Sequence, residues 1–355
     1  MSHAANSMLT SPSAPVADSP LDVVRAHPLC AETPVPLLQH AVTPPESVYV
    51  RSNFETPLAH AAWTLTVTGA VTSPRTISLS ELAALPQREL VVTMECAGNW
   101  RLGMDPVPEG EPWKYGAVST TRWSGVSLAS LLERAGVAAD AVEVVACGAD
   151  AGPRDDAEGI VRFERSLPLA VAMHPDTLIA THMDGAPLTP DHGAPLRLIV
   201  PNWYGMASVK WLNELVVRTT PFTGYFQQRR YVFEIDGDVQ PVSRALVKSM
   251  IVAPAPDSSA PGDCVVRGWA WSGYGHITAV DVAVGDVWHA ATLGTPASAY
   301  AWTPFELAVV LPPGHVTLRS RATDSSGATQ PERIVWNRLG YGNNGVRTVT
   351  VSVGS

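Results

Sequence analysis

The run Met94-Glu95-Cys96-Ala97-Gly98-Asn99-Trp100-Arg101 sets one thiol at the end of an apolar, β-branched stretch, with an arginine five positions further on. The preceding Leu90-Val91-Val92-Thr93-Met94 has the pattern of a buried strand, and Ala97-Gly98-Asn99 supplies small, turn-prone residues that let backbone approach a ligand closely. Cys96 would therefore sit at a strand's mouth. A thiolate is a soft donor suited to a sulfur-rich metal centre, and a nearby guanidinium favours its ionised form while attracting an anionic substrate. The competing role for such a residue is a small buried hydrophobe.

A second segment, Asp191-His192-Gly193-Ala194-Pro195-Leu196-Arg197-Leu198-Ile199-Val200-Pro201, leads into Gly205-Met206-Ala207-Ser208-Val209-Lys210-Trp211-Leu212. With both segments in view, the chain from about Val48 to its C-terminus resembles the sulfite oxidase family of molybdenum-cofactor enzymes. In that family a C-A-G-N-x-R run carries the metal-ligating cysteine, and H-G-x-P-x-R followed by V-K-W-L binds the molybdopterin. The resemblance makes Cys96 the metal ligand, sharing a sulfur-rich coordination sphere with the two dithiolene sulfurs of the pterin.

The same resemblance assigns the remaining site. Arg51 and Arg101 fall where the family has arginines at the substrate pocket, Trp113 where a tryptophan lines it, and Tyr231 where a tyrosine stands near the oxo ligand. Planar guanidinium groups suit a tetrahedral oxyanion because they give paired, charge-assisted hydrogen bonds. His192, Arg197, Ser208 and Lys210 match positions contacting pterin and phosphate, and Asp150 matches an acidic contact to the pterin ring. Ser52 and Asn53 stand at two further pterin-binding positions, where the family's usual R-N-H reads Arg51-Ser52-Asn53.

Other departures bear on the substrate. The first arginine of the usual C-A-G-N-R-R is Trp100, and the arginine that follows an A-W-A-W run in the family is replaced in Ala299-Tyr300-Ala301-Trp302-Thr303. Loss of one charge-assisted contact removes about 1.5–3 kcal/mol, roughly one to two powers of ten in affinity. The resemblance thus implies sulfite oxidation to sulfate by oxygen-atom transfer, with electrons passed to a separate acceptor such as a cytochrome. The alternatives are the same chemistry on nitrate or another sulfur compound, and a non-catalytic binding or dimerisation module.

The elements that must position these residues read as an α+β pattern with few long helices. Trp63-Thr64-Leu65-Thr66-Val67 alternates as a strand. Ser78-Leu79-Ser80-Glu81 has capping-box spacing ahead of a short helix that Pro86 stops, and Ser127 opens another through Leu128, Leu131 and Leu132 that Gly136 ends. The final third is strand after strand, at Cys264–Trp271, Ile277–Val284, Phe305–Leu311, Val316–Thr323 and Val346–Val353, separated by Gly, Pro or Asp-Ser turns. Val316, Leu318, Ser320 and Ala322 would share a buried face, as in a β-sandwich.

The expected organisation is a proline-rich irregular arm over 1–47 with its first twenty or so positions mobile, a molybdenum-cofactor domain over 48–245, and an immunoglobulin-like dimerisation domain over 246–355. The resemblance implies a homodimer. At 355 residues with 46% apolar and 16% charged residues the chain is a folded protein of about two domains. A net charge of -9 argues against nucleic-acid affinity, so any anion site must be local. Cys30, Cys96, Cys147 and Cys264 form no C-x-x-C pair, and the N-terminus shows neither a secretory signal nor a twin-arginine pair, giving a cytoplasmic expectation. No apolar run reaches the ~18 positions of a membrane span.

Overall fold

The computed structural model describes residues 20–60, 62–235 and 237–354; the expected mobile segment at the start of the arm lies outside them. The expected α+β mixture takes a mostly β form. The longest helix among the described residues is Leu128–Ala135, eight residues long, which buries Leu128, Leu131 and Leu132 and ends at Gly136 with φ +68°. The capping box at Ser78 is formed: its Oγ accepts from the Glu81 N–H at 3.2 Å, and Glu81 accepts from the Ser78 N–H at 2.8 Å.

Two sheets carry the N-terminal two thirds. In one, Gln87–Glu95 pairs antiparallel with Val118–Ser127, which pairs with Leu178–Met183; Arg197–Ile199 adds to Leu178–Met183. This sheet brings the Cys96 end of one strand and Arg197 to a common side. The other runs in the order Arg75–Ser78, Thr64–Gly69, Leu212–Arg218, Glu143–Arg154, Ala157–Pro168. Its Thr64–Gly69 and Leu212–Arg218 strands are parallel, and the Glu143–Arg154 strand carries Asp150.

The proline-rich arm is more regular than its composition suggests. Asp22–Arg25 and Cys30–Glu32 form a hairpin whose second strand pairs with Val50–Arg51 in the register Cys30↔Arg51. The indoles of Trp269 and Trp302 clamp the following segment by donating to the carbonyls of Leu38, at 2.6 Å, and Ala41, at 2.9 Å. Proline forbids helix there, but extended backbone and 3-10 turns remain open to it.

The final third forms two sheets. Lys248–Ala253, Asp263–Trp271, Thr303–Val310 and Thr292–Leu293 make one; Ser259–Ala260, Thr348–Val353, Gly314–Asp324, Ile277–Val284 and Val287–Ala290 make the other. Val316, Leu318, Ser320 and Ala322 are all buried, as the alternation requires, and the three apolar ones pack in a core with Val266, Val282 and Val351. Trp269, Trp271 and Trp302 instead face the larger core of the preceding region, so the two regions share a dry, aromatic seam.

Candidate active site

Segments far apart in sequence meet around one cleft. Cys96 follows directly on Gln87–Glu95 and turns sharply: its N–H donates to the Ala117 carbonyl at 2.8 Å, and its own carbonyl accepts from the Asn99 N–H at 2.9 Å. The thiol is 7% exposed and lines the cleft. Burial pushes its pKa up, while Arg51, the Gly98 N–H and Arg101 pull it back down. A thiol in this setting can hold a soft metal, because a bound cation completes the deprotonation that the two arginines favour and burial opposes.

Arg51 lies beside it on the strand that receives the arm hairpin. Its guanidinium donates to Asn53 Oδ1 at 3.0 Å, to the Ser52 carbonyl, and to Cys30 Sγ at 3.7 Å, with Glu111 at 3.9 Å. Burial works against its charge, but Tyr231, Cys30 and Glu111 outweigh burial and push its pKa up, so it stays cationic. Tyr231 comes from the start of the next hairpin with φ +49°, an uncommon conformation for a large side chain. Its ring stacks on Tyr341 at 5.2 Å, and its hydroxyl accepts from Asn53 Nδ2 at 3.1 Å.

The opposite wall is cationic. Lys210 Nζ donates to Ser52 Oγ at 2.7 Å and to the Asp191 carbonyl at 2.9 Å, and sits 4.1 Å from the Trp211 ring centroid. Gly193, at φ +100°, lets the turn after His192 approach closely, since a Cβ there would lie 2.9 Å from Lys210 Cβ. Arg197 donates to the His192 carbonyl at 3.3 Å and to Met94 Sδ at 3.1 Å. Burial, reinforced by Arg197 and Lys210, pushes His192 down to about 3, so the imidazole is neutral. Burial pushes Lys210 down and Asp150 up, each opposed by the charge of the other. Ser208 holds the turn by accepting from the Val200 N–H at 3.2 Å.

Two buried polar atoms in this wall, Asp150 Oδ1 and Arg197 Nε, have no hydrogen-bond partner among the described residues. Such orphans are expensive unless a ligand satisfies them. An unpartnered carboxylate oxygen and an unpartnered guanidinium N–H around one cleft fit a ligand bearing both N–H donors and an anionic group. No set of three or more His, Cys, Asp or Glu side chains converges among the described residues. A metal at Cys96 therefore needs further donors from such a ligand.

Three expected site residues stand behind the cleft instead of on its surface. Arg101 is 4% exposed and folds back on its own turn, donating to the carbonyls of Glu111 at 2.7 Å and Leu339 at 3.0 Å. The absence of a side chain at Gly98 makes that fold possible, because a Cβ there would lie 2.5 Å from Arg101 Nη2. Trp113 is fully buried among Cys30, Tyr49, Cys96 and Ala117, supporting the thiol from below. Ser52 is 1% exposed and reaches the site through Lys210. Thr303 does not line the cleft; it pairs with Ala270 on the neighbouring strand of its own sheet.

Sequence reasoning missed Tyr49, Asp191, Met206 and Phe163, all of which line the cleft, and Cys30, Glu111 and Arg154, which brace Arg51 or Asn53. Tyr49 and Asp191 adjoin residues already singled out, so adjacency was an available signal. Nothing local pointed to Cys30 or Glu111.

Residues 53–226 match the oxidoreductase molybdopterin binding domain, and residues 240–353 match the Mo-co oxidoreductase dimerisation domain. The cleft and these matches define a molybdopterin-dependent oxidoreductase. Human mitochondrial sulfite oxidase is 34% identical over 374 residues, covering 96% of this chain and 68% of that protein. The nitrate reductase [NAD(P)H] of Hordeum vulgare is 33% identical over 360 residues, covering 90% of this chain and 40% of that protein. Among solved structures, the sulfane dehydrogenase SoxCD from Paracoccus pantotrophus superposes with a TM-score of 0.81 at 28% identity, over 92% of this chain and 85% of that one. The chain belongs to the sulfite oxidase family of molybdenum-cofactor enzymes. The unpartnered Asp150 and Arg197 atoms and the lone cleft thiol fit the cofactor this family carries.

Proposed function

We propose that this protein oxidises sulfite to sulfate, with Cys96 holding the molybdenum and Arg51 holding the oxyanion. The observation that carries this reading is the pairing of a cleft thiol with a permanently charged guanidinium 45 positions away in sequence, brought together by the arm hairpin. The molybdenum cofactor, when bound, supplies the oxygen-atom transfer and the two-electron redox change. Asp150 would accept from pterin N–H groups, and Arg197 and Lys210 would hold the phosphate. A bound phosphate reverses the depression of the Lys210 pKa, because it adds the anion that burial lacks.

Toward substrate, Arg51 and Tyr231 supply donors on one side of the thiol, and the low-dielectric walls strengthen both. The acidic exterior leaves this cationic interior as a focused local attractor for small anions. A second reading, oxidation of a different reduced sulfur compound, draws on the superposition with a sulfane dehydrogenase and on the placement of Arg101 behind the cleft. Fewer exposed cations suit a less highly charged substrate.

The reading extends to a homodimer through the final third, read as an immunoglobulin-like sandwich following a cofactor domain that ends near residue 245, and to a separate electron acceptor such as a cytochrome. The test is sulfite-dependent reduction of ferricyanide by protein with one molybdenum per chain. Turnover with sulfite supports the assignment; fully loaded protein that does not respond to sulfite, but responds to another sulfur compound, moves it to the second reading.

A further inference from the structure

We propose that Asn53 fixes the direction of the Tyr231 hydroxyl, so that its hydrogen is presented to the oxyanion beside Arg51. This rests on the reading of the cleft as an oxyanion pocket. Asn53 Oδ1 accepts from Arg51 Nη2 at 3.0 Å and from Arg154 Nη2 at 3.2 Å, and Asn53 Nδ2 donates to the Tyr231 hydroxyl at 3.1 Å. The orientation of the amide is not free. A guanidinium has no acceptor, so the oxygen must face the two arginines and the NH₂ must face the phenol.

The phenol oxygen thus receives a hydrogen from Asn53, and its own single hydrogen must point elsewhere. No acceptor among the described residues takes it, and its charged neighbour Arg51 can only donate. The cleft, which Arg51, Tyr231 and Cys96 all line, is where an acceptor can sit. The ring cannot swing to another partner, because it is stacked on Tyr341, packed edge-on against Phe163 and held at φ +49°. Arg154 is itself pinned, lying 4.6 Å from the Phe54 ring centroid and donating at 3.1 Å to the Asn53 carbonyl. Asn53 is therefore a positioning residue: two arginines set its amide, and its amide sets the tyrosine as a donor.

An isosteric reversal tests this. In N53D the new carboxylate still accepts from both arginines but has no hydrogen to give, so the Tyr231 O–H turns toward it and away from the cleft. Dissociation constants for inorganic sulfate and nitrate are measured by calorimetry on molybdenum-loaded wild type, N53D, Y231F and N53D/Y231F. The added negative charge weakens anion binding in either background, whereas loss of the donor can occur only where the tyrosine hydroxyl is present. We expect N53D to weaken binding at least tenfold more in the tyrosine-bearing protein than in the Y231F background. Equal losses in both backgrounds would overturn the inference, as would tight binding by N53D. The two anions separate this result from the substrate assignment: binding of nitrate with rejection of sulfate contradicts the sulfite reading, while the Asn53 comparison is still read on nitrate. If N53D does not fold, N53L, which also lacks the donor, is compared across the same two backgrounds.

Discussion

Lys248 Nζ meets Glu95 Oε1 at 2.7 Å with both side chains essentially removed from solvent, one residue before the cleft thiol of Cys96. Glu95 also accepts from Asn99 Nδ2 at 2.9 Å and from the Trp271 indole at 3.0 Å, so all of its partners lie either in the Cys96 turn or in the final third. The strands of the dimerisation region thereby hold the base of the active-site turn. Removing Lys248 alone leaves a buried, uncompensated carboxylate, and K248M is expected to lower stability by about 3–5 kcal/mol. The double variant K248M/E95Q should recover most of that loss, which urea unfolding of the four proteins measures.

Arg51 lines the cleft, and its anionic and polar neighbours push its pKa up against burial. Replacing it by Gln removes a charge-assisted contact to the anion, and R51Q should raise the KM for sulfite about ten- to hundredfold. R101Q acts differently. Arg101 holds the turn through the Glu111 and Leu339 carbonyls, so its loss should appear in stability before it appears in KM.

His192 gives the cofactor-free protein a defined pH response. Its folded pKa is depressed to about 3 by burial, below the unfolded value of 6.5. Stability from this group is therefore fully present above pH ~6.5 and is lost as pH falls from there toward 3, because the unfolded chain takes up the proton first. The slope approaches about 1.4 kcal/mol per pH unit in that window. H192Q should flatten it, as measured by denaturant unfolding at pH 6, 5 and 4.

In the proposed reading Lys210 and Arg197 hold the phosphate end of the cofactor, and Arg197 Nε is a buried donor with no partner among the described residues. K210M should weaken molybdopterin retention by about one to two powers of ten. The metal content of protein dialysed for equal times reports this, and wild-type retention by K210M would show that Lys210 serves only Ser52 and the Asp191 carbonyl.

Much of this architecture was legible in the chain. The strand ahead of Cys96, the Ser78 capping box and the one-sided burial of Val316, Leu318 and Ala322 all follow from local periodicity and capping. The paired strands Glu143–Arg154 and Ala157–Pro168 were not legible, since their pairing is fixed by burial of one face and not by local pattern alone. Proline density likewise concealed the arm hairpin that carries Cys30. Among the site residues, the resemblance to the sulfite oxidase family singled out Cys96, Arg51, Tyr231, His192, Arg197 and Lys210, and the cleft brings them together. The resemblance could not show that Arg101 folds behind the thiol, because that depends on the room left by Gly98 and on carbonyls more than 200 positions away at Leu339.

The proposed bond between the Cys96 sulfur and molybdenum underlies every assignment made for the cleft. X-ray absorption at the molybdenum edge of cofactor-loaded wild type and C96S counts the sulfur neighbours directly. The expected result is one fewer sulfur around molybdenum in C96S, with sulfite-dependent turnover lost; an unchanged sulfur count, with C96S still active, would contradict the account.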